Sequence, residues 1–267
     1  MIEEENRLNI IVCIKQVPDT NEVKLNPETG TLIRDGVPSI INPDDKAGLE
    51  AALRLKDLHG ANVTVLSMGP PQAALALREA LAMGADRGIL VTDRAFGGAD
   101  TWATSSTLAA AIRRFDYDLI ITGRQAIDGD TAQVGPQIAE HLGLANISYA
   151  QEMTLEGGDI TVRRQYEDRC HIIRAKLPCL ITALAELNQP RYMTPGGIFE
   201  AFRERQIEEI HRSDLEISDD NIGLKGSPTR VFQSFTKAVK GKGTVVSLDA
   251  QESAEWLASR LQEKFII

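Results

Sequence analysis

The most constraining feature of the sequence is a series of short apolar runs rich in β-branched residues, each followed by a stretch with helical spacing. The runs are LNIIVCI at 8–14, VTVL at 63–66, RGILVT at 87–92 and DLIITG at 118–123. Such continuously apolar runs are typical of strands buried on both faces of a parallel sheet. Parallel neighbours need a crossover, and a right-handed helix is the usual one. The sequence therefore predicts an α/β fold with a doubly wound, mostly parallel sheet, whose first and central strand is 8–14.

Helix signals occupy the stretches between these runs. Pro43 suits the first turn of an amphipathic helix, and Asp100 or Thr101 can cap another. The predicted helices span 43–58, 71–83, 101–114 and 131–142. The polar stretch 18–36 contains two short alternating pieces, VKL and TLI, and is predicted to form a surface hairpin.

The character of the chain changes beyond residue 149. Alternating runs at 153–166 surround Gly157-Gly158 and predict an antiparallel extension of the sheet. After residue 187 a loop rich in proline and glycine leads into a polar tract, then a short strand, TVVSL, and an amphipathic helix at 250–265. We therefore divide the chain into an α/β domain with a β extension, 1–186, and a loop with a C-terminal arm, 187–267.

Composition excludes several function classes. The net charge of -9 argues against a nucleic-acid partner, because binding to phosphates needs a basic face. The three cysteines form no C-x-x-C pair and the four histidines are scattered, so no metal site is predicted. No apolar run approaches the roughly 18 residues needed to span a bilayer. With an acidic start instead of a leader sequence, we expect a cytoplasmic protein without a membrane span.

The segment ITGRQAIDGDT at 121–131 carries the main chemical signal. A buried strand ends there and a helix is predicted near Thr131, and open α/β sheets bind ligands at this end of their strands. Backbone N–H groups, close approach at Gly129 and the Thr131 hydroxyl would make a phosphate cradle. An ordinary capped helix is the alternative, since the segment is neither a dinucleotide glycine fingerprint nor a phosphate-binding loop with lysine.

Other strand ends support the same site. The segments 13–16 and 67–70 follow two strands, and 42–45 opens a helix, so all three should converge on one crevice. Cys13 and Met68 could form walls for a base. The sequence has no Ser-His-Asp order and no carboxylate pair in an apolar setting, which favours binding over catalysis, and no catalytic residue is predicted.

Ordered motifs along almost the whole chain resemble the beta subunit of the electron transfer flavoproteins. They are VCIKQVPD at 12–19, INPDDK at 41–46, ALRLK at 52–56, ALAMGADR at 80–87, GRQAIDGDTAQVG at 123–135, KLP at 176–178 and LNQPRYMT at 187–194. The resemblance implies a heterodimer with an alpha subunit that carries FAD, and a second adenine nucleotide in the crevice. The implied cofactor-binding residues are Cys13, Asn42, Pro43, Asp44, Asp45, Met68, Asp100, Thr101, Gly123, Arg124, Gln125, Ala126, Ile127, Asp128, Gly129, Asp130, Thr131, Ala132, Gln133 and Val134.

The second nucleotide divides this family. Ordinary members hold AMP there, whereas electron-bifurcating members hold a second FAD, oxidise NADH and reduce ferredoxin together with a dehydrogenase. The chain resembles the bifurcating branch in the segment DRAFGGADT at 93–101, whose glycines leave room for a flavin ring, and in Gly129. Arg124 is the candidate for tuning the flavin, because arginine keeps its charge when desolvated. The alternative for Arg124 is a pair with Asp128 or Asp130 that only holds the loop.

The segment 185–201 resembles the recognition loop by which the family binds an acyl-CoA dehydrogenase or another partner enzyme. Pro195 stands where the mitochondrial type has an anchoring leucine, so Ile198 or Phe199 is expected to anchor instead, beside Tyr192. Two other functions stay open. One is a non-bifurcating subunit with structural AMP, and the other is a stress-protein-like ATP-binding regulatory module. A Rossmann dehydrogenase is disfavoured, because the glycine fingerprint near the first strand is missing.

Overall fold

The computed structural model describes residues 7–19, 38–230, 241 and 243–267. The chain divides into two compact units, residues 1–232 and 233–267. The first unit is built on a nine-stranded sheet, and a separate antiparallel pair consists of β2 and β3. The strands are β1 Asn9–Cys13, β2 Gln16–Pro18, β3 Ser39–Ile41, β4 Asn62–Met68, β5 Arg87–Val91, β6 Leu119–Gly123, β7 Ala145–Glu156, β8 Asp159–Gln165, β9 Cys170–Lys176, β10 Cys179–Ala183 and β11 Ile207–Ile210. The hairpin predicted within 18–36 lies largely outside the described residues.

The large sheet has the order β11-β5-β4-β1-β6-β10-β7-β8-β9. Every neighbouring pair from β11 to β7 is parallel, and β7, β8 and β9 are joined antiparallel. The predicted fold class, with its antiparallel extension, is therefore confirmed. β4 and β5 lie on one side of β1, and β6 and β10 lie on its other side, so the direction of winding reverses between β1 and β6. Ligands of such sheets bind outside the carboxyl ends of the strands at this point.

Helices cover both faces of the parallel part. The helices of the first unit are α1 Pro43–His59, α2 Ala74–Met83, α3 Thr101–Ile112, α4 Val134–Leu142 and α5 Pro195–Arg203. The second unit contains α6 Ala250–Glu263. The strand β1 shows why its run is apolar throughout. Ile10 and Val12 join one buried cluster with α1 and α2, whereas Ile11 and Cys13 join a second cluster with α3 and α4. Among the described residues, no helix is both long and apolar enough to cross a membrane.

The start of α4 differs from the prediction. The helix begins at Val134 and not near Thr131, because Asp130 and Ala132 both have a φ of 54°, a left-handed value that a right-handed helix does not accept. Gly135 then brings the helix close to the sheet. A Cβ atom on Gly135 would lie 2.5 Å from the Thr122 Oγ1 atom.

The polar tract after residue 194 contains structure that the pattern does not predict. Helix α5 packs against α2, and β11 extends the parallel sheet beyond β5. The strand reads I-E-E-I and lies at an edge. Ile210 is buried, Ile207 and Glu208 are half-buried and Glu209 is exposed, which hides the usual apolar signal. Helix α6 confirms the predicted terminal helix. The strand predicted at 244–248 is wrong, since those residues have no strand pairing.

Candidate functional site

Asp45 joins the two strands that flank the reversal of the sheet. It lies in the first turn of α1 and is buried. Its Oδ2 atom accepts a hydrogen bond from the Lys15 backbone N–H at 2.8 Å, and Oδ1 accepts one from the Gly123 N–H at 2.9 Å. Burial raises the pKa of Asp45 to about 7, although these N–H donors oppose the shift. One carboxyl group thus fastens the ends of β1 and β6.

Gly123 is required by this close approach. A Cβ atom there would lie 2.1 Å from the Asp45 Oδ1 atom and 2.9 Å from the Asp44 Cβ atom. The glycine that ends the predicted strand therefore lets the first turn of α1 reach the end of β6. Its role in the fold is set by packing within the chain.

Asn42 holds the loop that follows Gly123. Its Nδ2 group donates to the Gln125 carbonyl at 2.8 Å, and its Oδ1 atom accepts from the Ile127 N–H at 3.1 Å. Asn42 is fully buried, whereas Pro43 follows it as the exposed first residue of α1. A second support is the ion pair between Lys15 Nζ and Asp128 Oδ1 at 2.6 Å. Contacts with Asn42, just before α1, and with Lys15, just after β1, therefore hold the loop in place.

The outer part of the loop is a tight turn. The N–H groups of Gly129 and Asp130 both donate to the Ala126 carbonyl, at 3.1 and 2.8 Å. The Gln125 side chain donates to the Asp130 carboxylate. Thr131 is exposed and precedes α4 by three residues, so its hydroxyl does not lie in the first turn of that helix. In place of the predicted cradle at a helix start, the structure has a tight turn ahead of α4, in which the Gly129 and Asp130 N–H groups are bonded to Ala126.

Gly129 has a different surrounding from Gly123. A Cβ atom on Gly129 would meet no heavy atom of the described chain within 4 Å, and its φ is not in the left-handed range. Neither packing nor backbone conformation within this chain requires a glycine at this position. The space beside Gly129 is therefore open.

Arg124 lies at the start of the loop and faces Asp44. The Arg124 Nε atom is 3.4 Å from the Asp44 Oδ2 atom, and this buried nitrogen has no hydrogen-bond partner among the described residues. Burial raises the pKa of Asp44, and the Arg124 charge partly offsets that rise. The observed contacts differ from the alternative that pairs Arg124 with Asp128 or Asp130: Arg124 pairs with Asp44, while Asp128 pairs with Lys15.

The N-terminus of α3 joins the same region. Asp100 caps this helix by accepting from the Ala103 N–H at 3.0 Å, and Thr101 Oγ1 donates to Gln133 Oε1 at 3.0 Å. The second contact brings the start of α3 to the residue before α4. Gly98 has a φ of 72°, and its Cβ position lies 3.2 Å from Leu224. The fold itself therefore explains that glycine, without a flavin ring.

Cys13 and Met68 lie at the ends of adjacent strands and pack in the same apolar cluster. Burial, and then the Asp45 charge, raises the pKa of the Cys13 thiol to about 12. A thiol held in its neutral form serves as an apolar wall and not as a nucleophile. The neighbouring Ser67 hydroxyl is buried without a hydrogen-bond partner among the described residues.

The predicted partner-binding residues lie on a different segment. Tyr192 is 93% exposed and Phe199 is 58% exposed, while Ile198 is 41% exposed. Pro195 is the exposed first residue of α5. The structure thus does not bring these four residues to the crevice: Tyr192 precedes α5, and the other three lie within it.

Sequence reasoning missed Lys15, Glu50 and Arg191. Lys15 supports the loop as described above. Glu50 is a buried carboxylate on α1, and its signal is a charged residue among apolar ones on the inner side of a helix. It binds Arg191 next to Tyr192. The partner of a charged residue 141 positions away cannot be read from local spacing.

Comparison with known proteins gives the family. The model of the electron transfer flavoprotein domain matches residues 29–215. The chain is 55% identical over 260 residues to the electron transfer flavoprotein subunit beta of Clostridium acetobutylicum, covering 97% of this chain and 100% of that protein.

Two further relatives are similar over the same extent. The subunit beta of Thermoanaerobacterium thermosaccharolyticum is 52% identical over 260 residues, and the caffeyl-CoA reductase-Etf complex subunit CarD of Acetobacterium woodii is 53% identical over 263 residues. In both cases 97% of this chain and 100% of the relative are covered. With the doubly wound sheet, the loop after β6 and these matches, the chain belongs to the electron transfer flavoprotein family, as a beta subunit.

Proposed function

We propose that this chain is the FAD-binding beta subunit of an electron-bifurcating flavoprotein. The observation that carries the proposal is the loop 123–132, which is fixed by buried contacts of its own chain and yet leaves open space at Gly129. A bound FAD would supply the redox chemistry, taking electrons from NADH and dividing them between ferredoxin and the FAD of the alpha subunit. The protein contributes binding, orientation and electrostatics.

The residues present fit a dinucleotide in three respects. The Gly129 and Asp130 N–H groups are bonded to Ala126, so the turn offers the N–H groups of Thr131 and Ala132 to a pyrophosphate, with no side chain in the way at Gly129. Cys13 and Met68 offer apolar contact to a base at the ends of β1 and β4. Arg124 offers a cation whose buried Nε atom still lacks a hydrogen-bond partner within the described chain.

Arg124 is suited to tune a flavin because a guanidinium is a planar cation with several N–H donors. The Asp44 carboxylate at 3.4 Å holds the guanidinium in place, while 39% of the Arg124 side chain stays exposed. A cation near the reduced ring would stabilise negative charge there and raise the reduction potential. We therefore assign Arg124 to tuning and Asp44 to positioning Arg124.

The proposal extends to partners. Beta subunits of this family pair with an alpha subunit and act with dehydrogenases. The relative in Acetobacterium woodii is named as part of a complex with a caffeyl-CoA reductase, which supports a partner that acts on a CoA thioester, such as an acyl-CoA dehydrogenase. Tyr192, Ile198 and Phe199 supply the exposed apolar surface for it, beside Pro195. On this reading, residues 1–186 bind nucleotide and 187–267 recognise partners.

Two alternative functions differ from this proposal in the cofactor that the chain would bind. A non-bifurcating subunit would hold AMP in the same crevice, and the glycines at 97–98 do not decide between them, because the fold accounts for Gly98. An ATP-binding regulatory module would hold no flavin. The exposed segment after Leu187 favours a protein that docks on others.

The test is to purify this chain with its alpha subunit, extract the nucleotides, count FAD and AMP per heterodimer, and add NADH. Two FAD and rapid bleaching by NADH are expected. One FAD with one AMP and no bleaching would leave a structural electron-carrier subunit. A heterodimer without flavin would contradict the whole proposal.

A further inference from the structure

We propose that Glu50 and Arg191 form a positioning pair that fixes the exposed segment 192–199 for docking of the partner dehydrogenase. The inference rests on the proposed function, because it concerns the same docking surface. The pair would act apart from the nucleotide crevice, by holding a segment that has little buried surface of its own.

The pair is made by three hydrogen bonds to one carboxylate. The Arg191 backbone N–H and the Arg191 Nε group donate to Glu50 Oε2 at 3.0 and 2.9 Å, and the Nη2 group donates to Oε1 at 3.1 Å. The Nη2 group also donates to Asp57 Oδ2 at 2.7 Å. The side chain of Glu50 is 5% exposed and that of Arg191 is 32% exposed.

This geometry fixes direction as well as position. The guanidinium fork meets both carboxylate oxygens, while the backbone of the same residue meets one of them. A single flexible contact would allow the chain to rotate about Arg191, but a backbone bond and a side-chain fork together do not. The next residue, Tyr192, is consequently directed away from the protein and is 93% exposed.

The other end of the segment is held against α2. Thr194 caps α5 by accepting from the Gly197 N–H at 3.0 Å. A Cβ atom on Gly197 would lie 2.4 Å from the Ala82 carbonyl oxygen, so this glycine allows α5 to approach the end of α2. Only residues 192–196 lie between the two fixed points. Met193 within this short span and Ile198 just after it are each 41% exposed.

A buried ion pair is a poor source of stability, because desolvation of the two charges offsets most of their attraction. The contribution of the pair here is to hold the exposed segment 192–199 in place. Fixing exposed residues before docking removes an entropy cost that the partner would otherwise have to offset on binding. Arginine is the suitable residue, since lysine cannot make the two parallel contacts.

The test uses the complete heterodimer and a purified short-chain acyl-CoA dehydrogenase as the probe. The variants are Arg191→Ala, Arg191→Lys and Glu50→Gln, and the double variant Glu50→Gln with Arg191→Ala. The control is Arg169→Ala, which removes the same charge from an exposed pair with Asp168 on the β8–β9 hairpin. The readouts are KM for the dehydrogenase, kcat at saturating dehydrogenase, and amide exchange across 191–194.

Arg191→Ala is expected to raise KM about tenfold with kcat within about twofold, and to speed amide exchange across 191–194. Arg191→Lys should recover part of this loss. The double variant should have a KM no higher than that of Arg191→Ala alone, because both changes disrupt the same Glu50–Arg191 interaction. Arg169→Ala should leave KM unchanged.

The outcomes separate this inference from the docking surface itself. If Tyr192→Ala or Phe199→Ala raises KM while the Arg191 and Glu50 variants do not, the positioning role is overturned and the docking surface stands. If none of these variants changes KM, the docking surface is wrong as well. Should Arg191→Ala fail to fold, Arg191→Lys and Glu50→Gln decide, and a KM equal to wild type in both overturns the pair.

Discussion

Replacing Gly129 with alanine separates a ligand role from a folding role. The new methyl group would meet no heavy atom of the described chain within 4 Å, and the backbone there does not have a left-handed φ. Folding should therefore tolerate the change. Because alanine narrows the conformations of the unfolded chain, the nucleotide-free protein should be unchanged or more stable by about 0.4–1 kcal/mol.

Nucleotide binding should respond in the opposite direction. If the open space holds a pyrophosphate, the methyl group must displace it or shift the loop, and overpacking of this kind costs about 1–3 kcal/mol. That range corresponds to a roughly 5-fold to 150-fold weaker Kd. The loss should be larger for FAD than for AMP, since only FAD has a pyrophosphate to place beside Gly129.

The assay compares nucleotide-free heterodimers by thermal unfolding and by titration with FAD and AMP. Gly123→Ala is the matched control, because its Cβ atom would lie 2.1 Å from Asp45 Oδ1. In the absence of any nucleotide, Gly123→Ala should have a lower Tm than wild type, because overpacking costs about 1–3 kcal/mol or more of the free energy of unfolding. Wild-type affinity for both nucleotides in Gly129→Ala would refute the assignment of this space to the ligand.

Three further predictions concern ionisable groups. Since the pKa of Asp45 rises from 3.8 unfolded to about 7 folded, its contribution to stability is full below 3.8 and is lost as pH rises through 7, by about 1.4 kcal/mol per pH unit. Urea unfolding should show this slope, and Asp45→Asn should flatten it; an equal slope in the variant would contradict the assignment. Iodoacetamide at pH 8 should label exposed Cys170 and spare Cys13 and Cys179, whose burial raises their pKa to about 12 and about 11; labelling of Cys13 in the folded protein would be inconsistent with this. Arg124→Gln should lower the reduction potential of the flavin in this chain, measured by spectroelectrochemistry, and an unchanged potential would remove Arg124 from flavin tuning.

The parallel sheet is predictable from the sequence because its strands are buried on both faces. β1, β4, β5 and β6 each coincide with a predicted apolar run. The edge strand β11 is not predictable in this way, since an edge position needs few apolar residues. The late start of α4 also escapes local rules, because neither Asp130 nor Ala132 signals a left-handed backbone as a glycine would.

The position of the candidate site could be predicted from the sequence, but the contacts within it could not. Strand ends in a doubly wound sheet converge whatever their residues, so the crevice follows from fold class alone. Which side chains meet there depends on long-range packing. Asp45 bonds to Gly123 across 78 positions, and Glu50 bonds to Arg191 across 141. Both partners of each pair are visible in the sequence, but nothing local links them.

Helix α1 connects the two surfaces for which we propose functions. Asp44 and Asp45 in its first turn contact the loop 123–132, and Glu50, less than two turns later, binds Arg191. A helix rises 1.5 Å per residue, so these contacts lie within roughly 10 Å of each other along a stiff axis. Backbone groups of Gln125 in the loop and of Ala185, ahead of segment 192–199, both act to lower the pKa of Asp44 against the rise caused by burial. We therefore expect any coupling between nucleotide binding and partner docking to depend on Asp44.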